Sequence, residues 1–310
     1  MDDVSGILPI DKPVGMTSHD VVDVVRRVYG IRRVGHTGTL DPAASGLLLL
    51  VVGRATRIAP WLSSQTKTYY AGVTFGATSD SGDADGLITS TGGVPPSVES
   101  LASLCEALVG EVELAVPALA SVRSGGRRRY ELAHAGEAVP ILTRANRIDA
   151  LDLLAYDPPR AELRVRCSSG TYIRSLAEAM GEKAGCGAYL HALRREAIGA
   201  SRVEGAFGLD YLAARAALGE ELPAPEAIDD YLALPVVEVA AEADRVIHHG
   251  QPLTGAMVTR VISEFAAGAD LAISVEGYGV AAIGKALVDS KAIGPIGPIG
   301  PILSYRCVLI

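Results

Sequence analysis

One twelve-residue string, Gly35-His36-Thr37-Gly38-Thr39-Leu40-Asp41-Pro42-Ala43-Ala44-Ser45-Gly46, holds the strongest candidate for chemistry in the chain. Asp41 precedes a proline, so its backbone is pushed toward extended conformations. Gly35 and Gly38 permit a positive φ or close backbone approach. A carboxylate presented on a loop beside a rigid strand can act as nucleophile or general base once ionised. The competing reading is an aspartate that only shapes its turn. His36, taken alone, reads equally as turn packing or as a ligand contact. Tyr69 shares an alternating face with Val73 and Phe75, which by itself describes a core aromatic. Burial beside an apolar pocket would raise the pKa of Asp41, and a neighbouring arginine would lower it again. Arg174, at the start of a helical segment, could supply that charge.

The elements that must position these groups are visible in the hydrophobic pattern. Segment 17–29 reads as a helix, capped by Thr17 or Ser18 and ended by Gly30, with Val21, Val24, Val25 and Val28 on one face. Leu47 to Val52 is a short apolar run between Gly46 and Gly53, as in a strand buried on both faces. Segment 66–76 alternates, as do Leu163, Val165 and Cys167. Ser97 caps a further helix, and Thr171 is expected to cap another, with Ile173, Leu176, Ala177 and Met180 inward. Strands and helices mix without a βαβ repeat. The fold class expected is α+β, a mixed and largely antiparallel sheet flanked by helices.

Composition narrows the class. A chain of 310 residues can build a full catalytic core and a small second domain. The longest apolar runs are too short to span a bilayer, and the acidic start Met1-Asp2-Asp3-Val4 lacks the marks of a secretory signal, so the cytoplasm is expected. The four cysteines form no CxxC pair and no zinc spacing with histidine, and read as reduced thiols. With no P-loop and no dinucleotide fingerprint, neither cofactor nor metal is expected. Residues 1–203 carry 22 basic and 22 acidic residues, residues 204–310 carry 6 and 14, and the whole excess of −8 therefore lies C-terminal. The neutral part has local basic clusters at Arg26, Arg27, Arg32 and Arg33, at Arg123 and Arg127 to Arg129, and at Arg194 and Arg195. Each alone is a solvated face, and together they are compatible with a polyanionic partner.

The Gly35–Gly46 string resembles the catalytic motif of the TruB family of pseudouridine synthases, which modify uridine 55 of tRNA. Four further stretches match in family order: Asp11-Lys12-Pro13-Val14-Gly15-Met16-Thr17-Ser18, Lys67-Thr68-Tyr69, Cys167 to Leu176, and Leu193-Arg194-Arg195. Together they cover roughly residues 7–203. The resemblance implies that Asp41 is the catalytic aspartate and that Arg174 pairs with it. It implies that Tyr69 stacks on the target uracil and helps remove its C5 proton, and that Tyr172 and Leu193 line the uracil pocket. His36 would fill the space the flipped base leaves, or brace the RNA there. Lys12 would brace the loop.

The same resemblance makes Thr78 to Gly86 the family's acidic loop and Arg123 to Tyr130 its RNA-binding insertion, with Arg123, Arg127, Arg128 and Arg129 on the RNA backbone. Arg123 stands where the family usually has Lys, and Ala145 departs from a usual Arg-Pro. The implied partner is the T-arm stem-loop of tRNA, acted on by a monomer without guide RNA. A catalytic domain is expected over 1–205, a linker over 206–235, and a small β-rich domain over 236–310. The last resembles the family's PUA-like domain faintly, around Gly250 to Leu253, and is expected to end in an irregular Gly-Pro-Ile tail.

Overall fold

A computed structural model describes residues 4–117, 122–124, 127–129, 140, 142–293 and 300–310. Its main sheet has ten strands. Along the principal path these are β14 (Phe207–Gly208), β1 (Gly6–Lys12), β3 (Ser45–Val52), β12 (Ala188–Ile198), β4 (Lys67–Phe75), β11 (Arg160–Cys167), β10 (Thr143–Asp157) and β7 (Gly110–Ala115). Two short strands lie off the path, β2 (Val34–His36) on β3 and β13 (Ser201–Arg202) on β12. The pairs β1–β14 and β3–β12 are parallel, and the other pairings are antiparallel. This is the mixed α+β sheet that the pattern of short strands implied.

The helices form where the sequence supplies caps and an apolar stripe. Helix α1 (Ser18–Tyr29) opens on a capping box between Thr17 and Asp20 and ends at Gly30 in the left-handed region, φ 67°. It buries Val21, Val22 and Val25 against Leu8, Ile10, Leu48 and Leu50. Helix α3 (Val98–Ala107) is capped by Ser97 and buries Leu101 and Cys105. Helix α4 (Ile173–Lys183) departs from expectation, because Tyr172 occupies its N-cap position and no side chain caps it. Thr171 donates its hydroxyl to the Ser168 carbonyl and accepts from Asn146 Nδ2. That polar knot fixes the turn before the helix in place of a cap.

A second sheet of five strands follows: β16 (Val258–Val261), β15 (Val236–Val239), β17 (Asp270–Val275), β18 (Gly279–Ala286) and β19 (Leu303–Val308), in that order. The stretch 206–235, expected as a linker, is built into the fold. It carries a helix, Leu209–Leu218, whose Leu209 and Leu212 join the α1 cluster, and Glu226 bridges to Ile7 through backbone hydrogen bonds. Within the expected irregular tail, residues 294–299 lie outside the described residues. Ile302 is buried and Leu303–Val308 form edge strand β19, because Leu303 and its neighbours can pair with β18 and add to an apolar cluster. The two sheets share a core in which Ile7, Leu47, Leu49 and Val51 meet Ala272, Val280, Ile283 and Leu309. Among the described residues no helix is long and apolar enough to cross a membrane.

Candidate active site

Residues 37–44 form the loop that feeds β3. Its backbone is held from behind by three buried side chains. Arg195 Nη2 donates to the Gly38 carbonyl at 3.1 Å, Ser18 Oγ to the Leu40 carbonyl at 3.2 Å, and Lys12 Nζ to the Pro42 carbonyl at 3.4 Å. Ser18 Oγ also accepts from Leu40 N, and Gly15 N donates to the Pro42 carbonyl. Lys12 is fully buried and spends its remaining contacts on the Pro13 and Met16 carbonyls. Each tie satisfies a carbonyl that water would otherwise have to reach. The loop thus has little freedom, and Asp41 is carried on it at a set place.

Asp41 lies in the wall of a cavity of about 270 Å³ lined by Thr37 to Asp41, Ser63, Lys67, Tyr69, Gly170 to Arg174, Leu193 and Arg195. Four segments far apart in sequence converge there: the loop before β3, strand β4, the turn into α4 and strand β12. Arg174 Nε stands 3.1 Å from Asp41 Oδ2 and 3.6 Å from Asp83 Oδ2, and Nη1 donates to the Ser81 carbonyl at 2.8 Å. The Arg174 side chain is 6% exposed and that of Asp41 39%, so the ion pair is closed on the arginine side and open on the carboxylate side. Burial raises the pKa of Asp41. Arg174 opposes that shift, and the Asp83 charge adds to it.

Tyr69 is buried and lines the cavity, and burial raises its phenol. Tyr172 and Leu193, both half-buried, line it too. Lys67 points into the carbonyls of Ser63 and Gln65, and burial, then the charge of Arg195, pushes its ammonium down to about 8. His36 belongs to β2 and is absent from the lining. Its Nδ1 accepts from Gly38 N at 3.4 Å, and burial, reinforced by Arg195, lowers its pKa. Of the residues expected to meet, Asp41, Tyr69, Arg174, Tyr172 and Leu193 do so. His36 supports the base of the loop.

The arginine-rich insertion differs from expectation at Arg129. That side chain is 2% exposed and donates to three carbonyls, those of Pro117, Pro140 and Val116. Each of its three guanidinium nitrogens is thus engaged with backbone, and the side chain is turned away from solvent. Arg123–Ser124 (β8) and Arg127–Arg128 (β9) form a two-stranded ladder, and the side chains of Arg123, Arg127 and Arg128 lie outside the described residues.

Sequence reasoning missed the parts played by Arg195, Ser18 and Asp83. Ser18 looked like a helix cap. Asp83 looked only like one residue of the family's acidic loop, yet it reaches the guanidinium of Arg174. Arg195 looked like half of a basic patch, but it is 1% exposed and faces inward, while Arg194 pairs with Asp11 at 3.0 and 2.8 Å.

Similarity to known proteins agrees with this geometry. The model of the TruB family pseudouridylate synthase N-terminal domain matches residues 26–173. A tRNA pseudouridine synthase B of Azoarcus sp. strain BH72 is 42% identical over 244 residues, 78% of each chain. That of Mycobacterium tuberculosis strain H37Rv is 41% identical over 224 residues, 70% of this chain and 74% of the other. The chain belongs to the TruB family. Its members are isomerases, and this chain is one of them. The fold is also that of solved structures at lower identity. A chain in the structure of an H/ACA RNP bound to a substrate RNA containing 2′-deoxyuridine is 23% identical, with a TM-score of 0.78 over 98% of this chain and 85% of the other. A chain in a Cbf5-Nop10-Gar1 complex is 24% identical with a TM-score of 0.76, again over 98% and 85%.

Proposed function

We propose that this TruB-family chain converts uridine 55 in the T-arm of tRNA to pseudouridine, as a cytoplasmic monomer and without a guide RNA. The observation that carries the reading is the Asp41–Arg174 pair at 3.1 Å in the wall of a cavity that also presents Tyr69, Tyr172 and Leu193. A stacked base cannot reach such a recess, so the target nucleotide must leave the stack, at a cost of a few kcal/mol. The flipped uracil enters between Tyr69, whose ring offers a stacking face, and the side chains of Tyr172 and Leu193.

The reaction breaks the N1–C1′ bond, turns the uracil and joins C5 to C1′. Whether Asp41 attacks C1′, attacks C6 or removes a sugar proton, each route requires its carboxylate in the ionised form. Arg174 favours that form against the effect of burial. Once C5 is bonded to C1′, its proton must pass to a base, and we assign Tyr69, which lines the cavity, to assist that transfer. Arg123, Arg127 and Arg128 are assigned to phosphates of the stem, where they would contribute salt-dependent affinity. Arg129 is assigned to holding backbone instead, because it is buried and each of its three guanidinium nitrogens donates to a carbonyl.

The test is single-turnover release of tritium from C5-labelled uridine in a T-arm stem-loop, with a binding isotherm on the same protein. Wild type should react without ATP, metal or guide RNA. Asp41→Asn should bind RNA with little change and release nothing, since a neutral amide supplies no anionic oxygen. Near-normal release by Asp41→Asn would overturn the assignment. A strict requirement for an added guide RNA would overturn the stand-alone reading.

A further inference from the structure

Arg195 is the largest fully buried side chain among the described residues, and it carries a charge. Taking a guanidinium out of water is costly unless its donors are satisfied. Among the described residues no carboxylate pairs with it. Nε donates to the Leu47 carbonyl at 2.7 Å and Nη2 to the Gly38 carbonyl at 3.1 Å, and neither bond uses Nη1. Arg195 also lines the cavity. Its backbone sits at a three-strand junction, opposite Gly46 of β3 on one side and opposite Tyr69 of β4 on the other. At Gly46, with φ 104°, a Cβ would lie 2.3 Å from the Arg195 carbonyl oxygen, so only glycine lets the strands come this close.

From this geometry we infer that Arg195 is a positioning residue that locks Tyr69 and the Asp41 loop into one rigid unit. One arm of the fork fixes the Gly38 end of the loop, three residues before the catalytic carboxylate. The side chain stands on the same cavity wall as its cross-strand partner Tyr69, whose hydroxyl it reaches electrostatically. The strand β3 carbonyl of Leu47 anchors the third corner. A stem as long as arginine's, with a planar fork, can hold two separated carbonyls at once, which a lysine ammonium cannot do with the same geometry. The inference rests on the proposed role of Tyr69 and Asp41 in uridine isomerisation, and it adds that their mutual placement depends on a group behind them.

The test is a double-mutant cycle read by single-turnover kinetics on a T-arm stem-loop at saturating protein. Arg195→Lys should lower the maximal rate about tenfold or more with little change in KM, the pattern of an interaction needed in the transition state. Combined with Tyr69→Phe, the loss should be smaller than the product of the two single losses by about threefold or more, as expected for residues acting as a unit. Melting temperatures are measured for all four proteins. If Arg195→Lys does not fold, Arg195→Gln enters the cycle instead. Losses that multiply, or a rate that returns to normal when the variant is assayed well below its melting point, would overturn the inference and leave Arg195 a packing residue. Full activity of Tyr69→Phe beside an inactive Asp41→Asn would also overturn it, while leaving the proposed reaction standing. No pseudouridine from wild type would sink both.

Discussion

The two sheets bury different things. Around the ten-stranded sheet the buried set includes Lys12, Lys67, Arg129, Arg174 and Arg195, with Thr37 and Asn146 among the neutral polar groups. In the five-stranded sheet and its surroundings the buried residues among those described are apolar apart from Ser290. Buried charge is expensive, and an all-apolar interior is the cheaper way to hold a fold. The charges are therefore informative by position. Four of the five either hold or line the Asp41 loop and its cavity, and the fifth, Arg129, donates to the carbonyls of Val116, Pro117 and Pro140. The C-terminal sheet looks like scaffold, and the main sheet like scaffold that has taken on electrostatic duties.

If that division is right, the largest effect outside Asp41 itself should come from Arg174. Arg174→Lys keeps a charge but loses the fork that spans Asp41, Asp83 and the Ser81 carbonyl. A loss of about 100-fold or more in single-turnover rate is expected, comparable to removing one preorganised donor from an active site. RNA binding should change much less. A variant within a few-fold of wild type would mean that the ion pair is structural only.

The opposite behaviour is expected across the shared core. Ile283 lies on β18, fully buried, in the cluster that joins the two sheets. Ile283→Ala should cost about 2–5 kcal/mol in denaturant unfolding. The rate at saturating RNA, measured where the protein is still folded, should stay near wild type. A selective loss of rate at full fold would show that the C-terminal sheet takes part in chemistry, and the comparison would break.

How much of this could be read from sequence differs by kind of feature. The caps of α1 were legible because Thr17 and Gly30 act through local geometry. The strand 47–52 was legible because burial on both faces leaves an unbroken apolar run. The convergence of Asp41, Tyr69, Tyr172, Leu193 and Arg174 followed from family resemblance; periodicity alone made Tyr69 a core residue. Arg194 and Arg195 were not separable, since both are arginines in one strand and β-bulges at 190/192 and 195/197 reset the alternation of faces. Strand β19 was hidden by the Gly-Pro-Ile repeats that precede it. Arg129 was hidden because three backbone carbonyls, which no side-chain pattern reveals, receive its fork.

The smallest expected effect is the one that tests the electrostatics most directly. Asp83 is not among the residues lining the reacting cavity, but its carboxylate stands 3.6 Å from the same Arg174 Nε that meets Asp41, and its charge is felt at Asp41, where it favours the protonated form. Asp83→Asn removes that charge and keeps the shape. With one negative neighbour fewer, Asp41 should hold its proton less tightly, so its pKa should fall from the raised value toward the ordinary carboxylate range. The reaction needs the ionised carboxylate, so rate is lost as pH falls through the pKa of Asp41. The acid limb of the rate profile should therefore move to lower pH in the variant, and the plateau at neutral pH should change little. The same shift has a sign for stability. A carboxyl whose pKa is raised in the folded state stabilises the fold fully only below its unfolded pKa, and that contribution is lost as pH rises through the folded value. Lowering the folded pKa narrows this window, so the acid side of the stability profile should flatten as well. Asp83 Oδ1 also accepts from Ser81 Oγ and from Asp85 N, and an amide with its oxygen at that position can keep both. A pH–rate profile from single-turnover reactions, with melting curves over the same range, measures both. An acid limb that stays in place, or moves to higher pH, would show that Asp83 acts on Arg174 through position and not through charge.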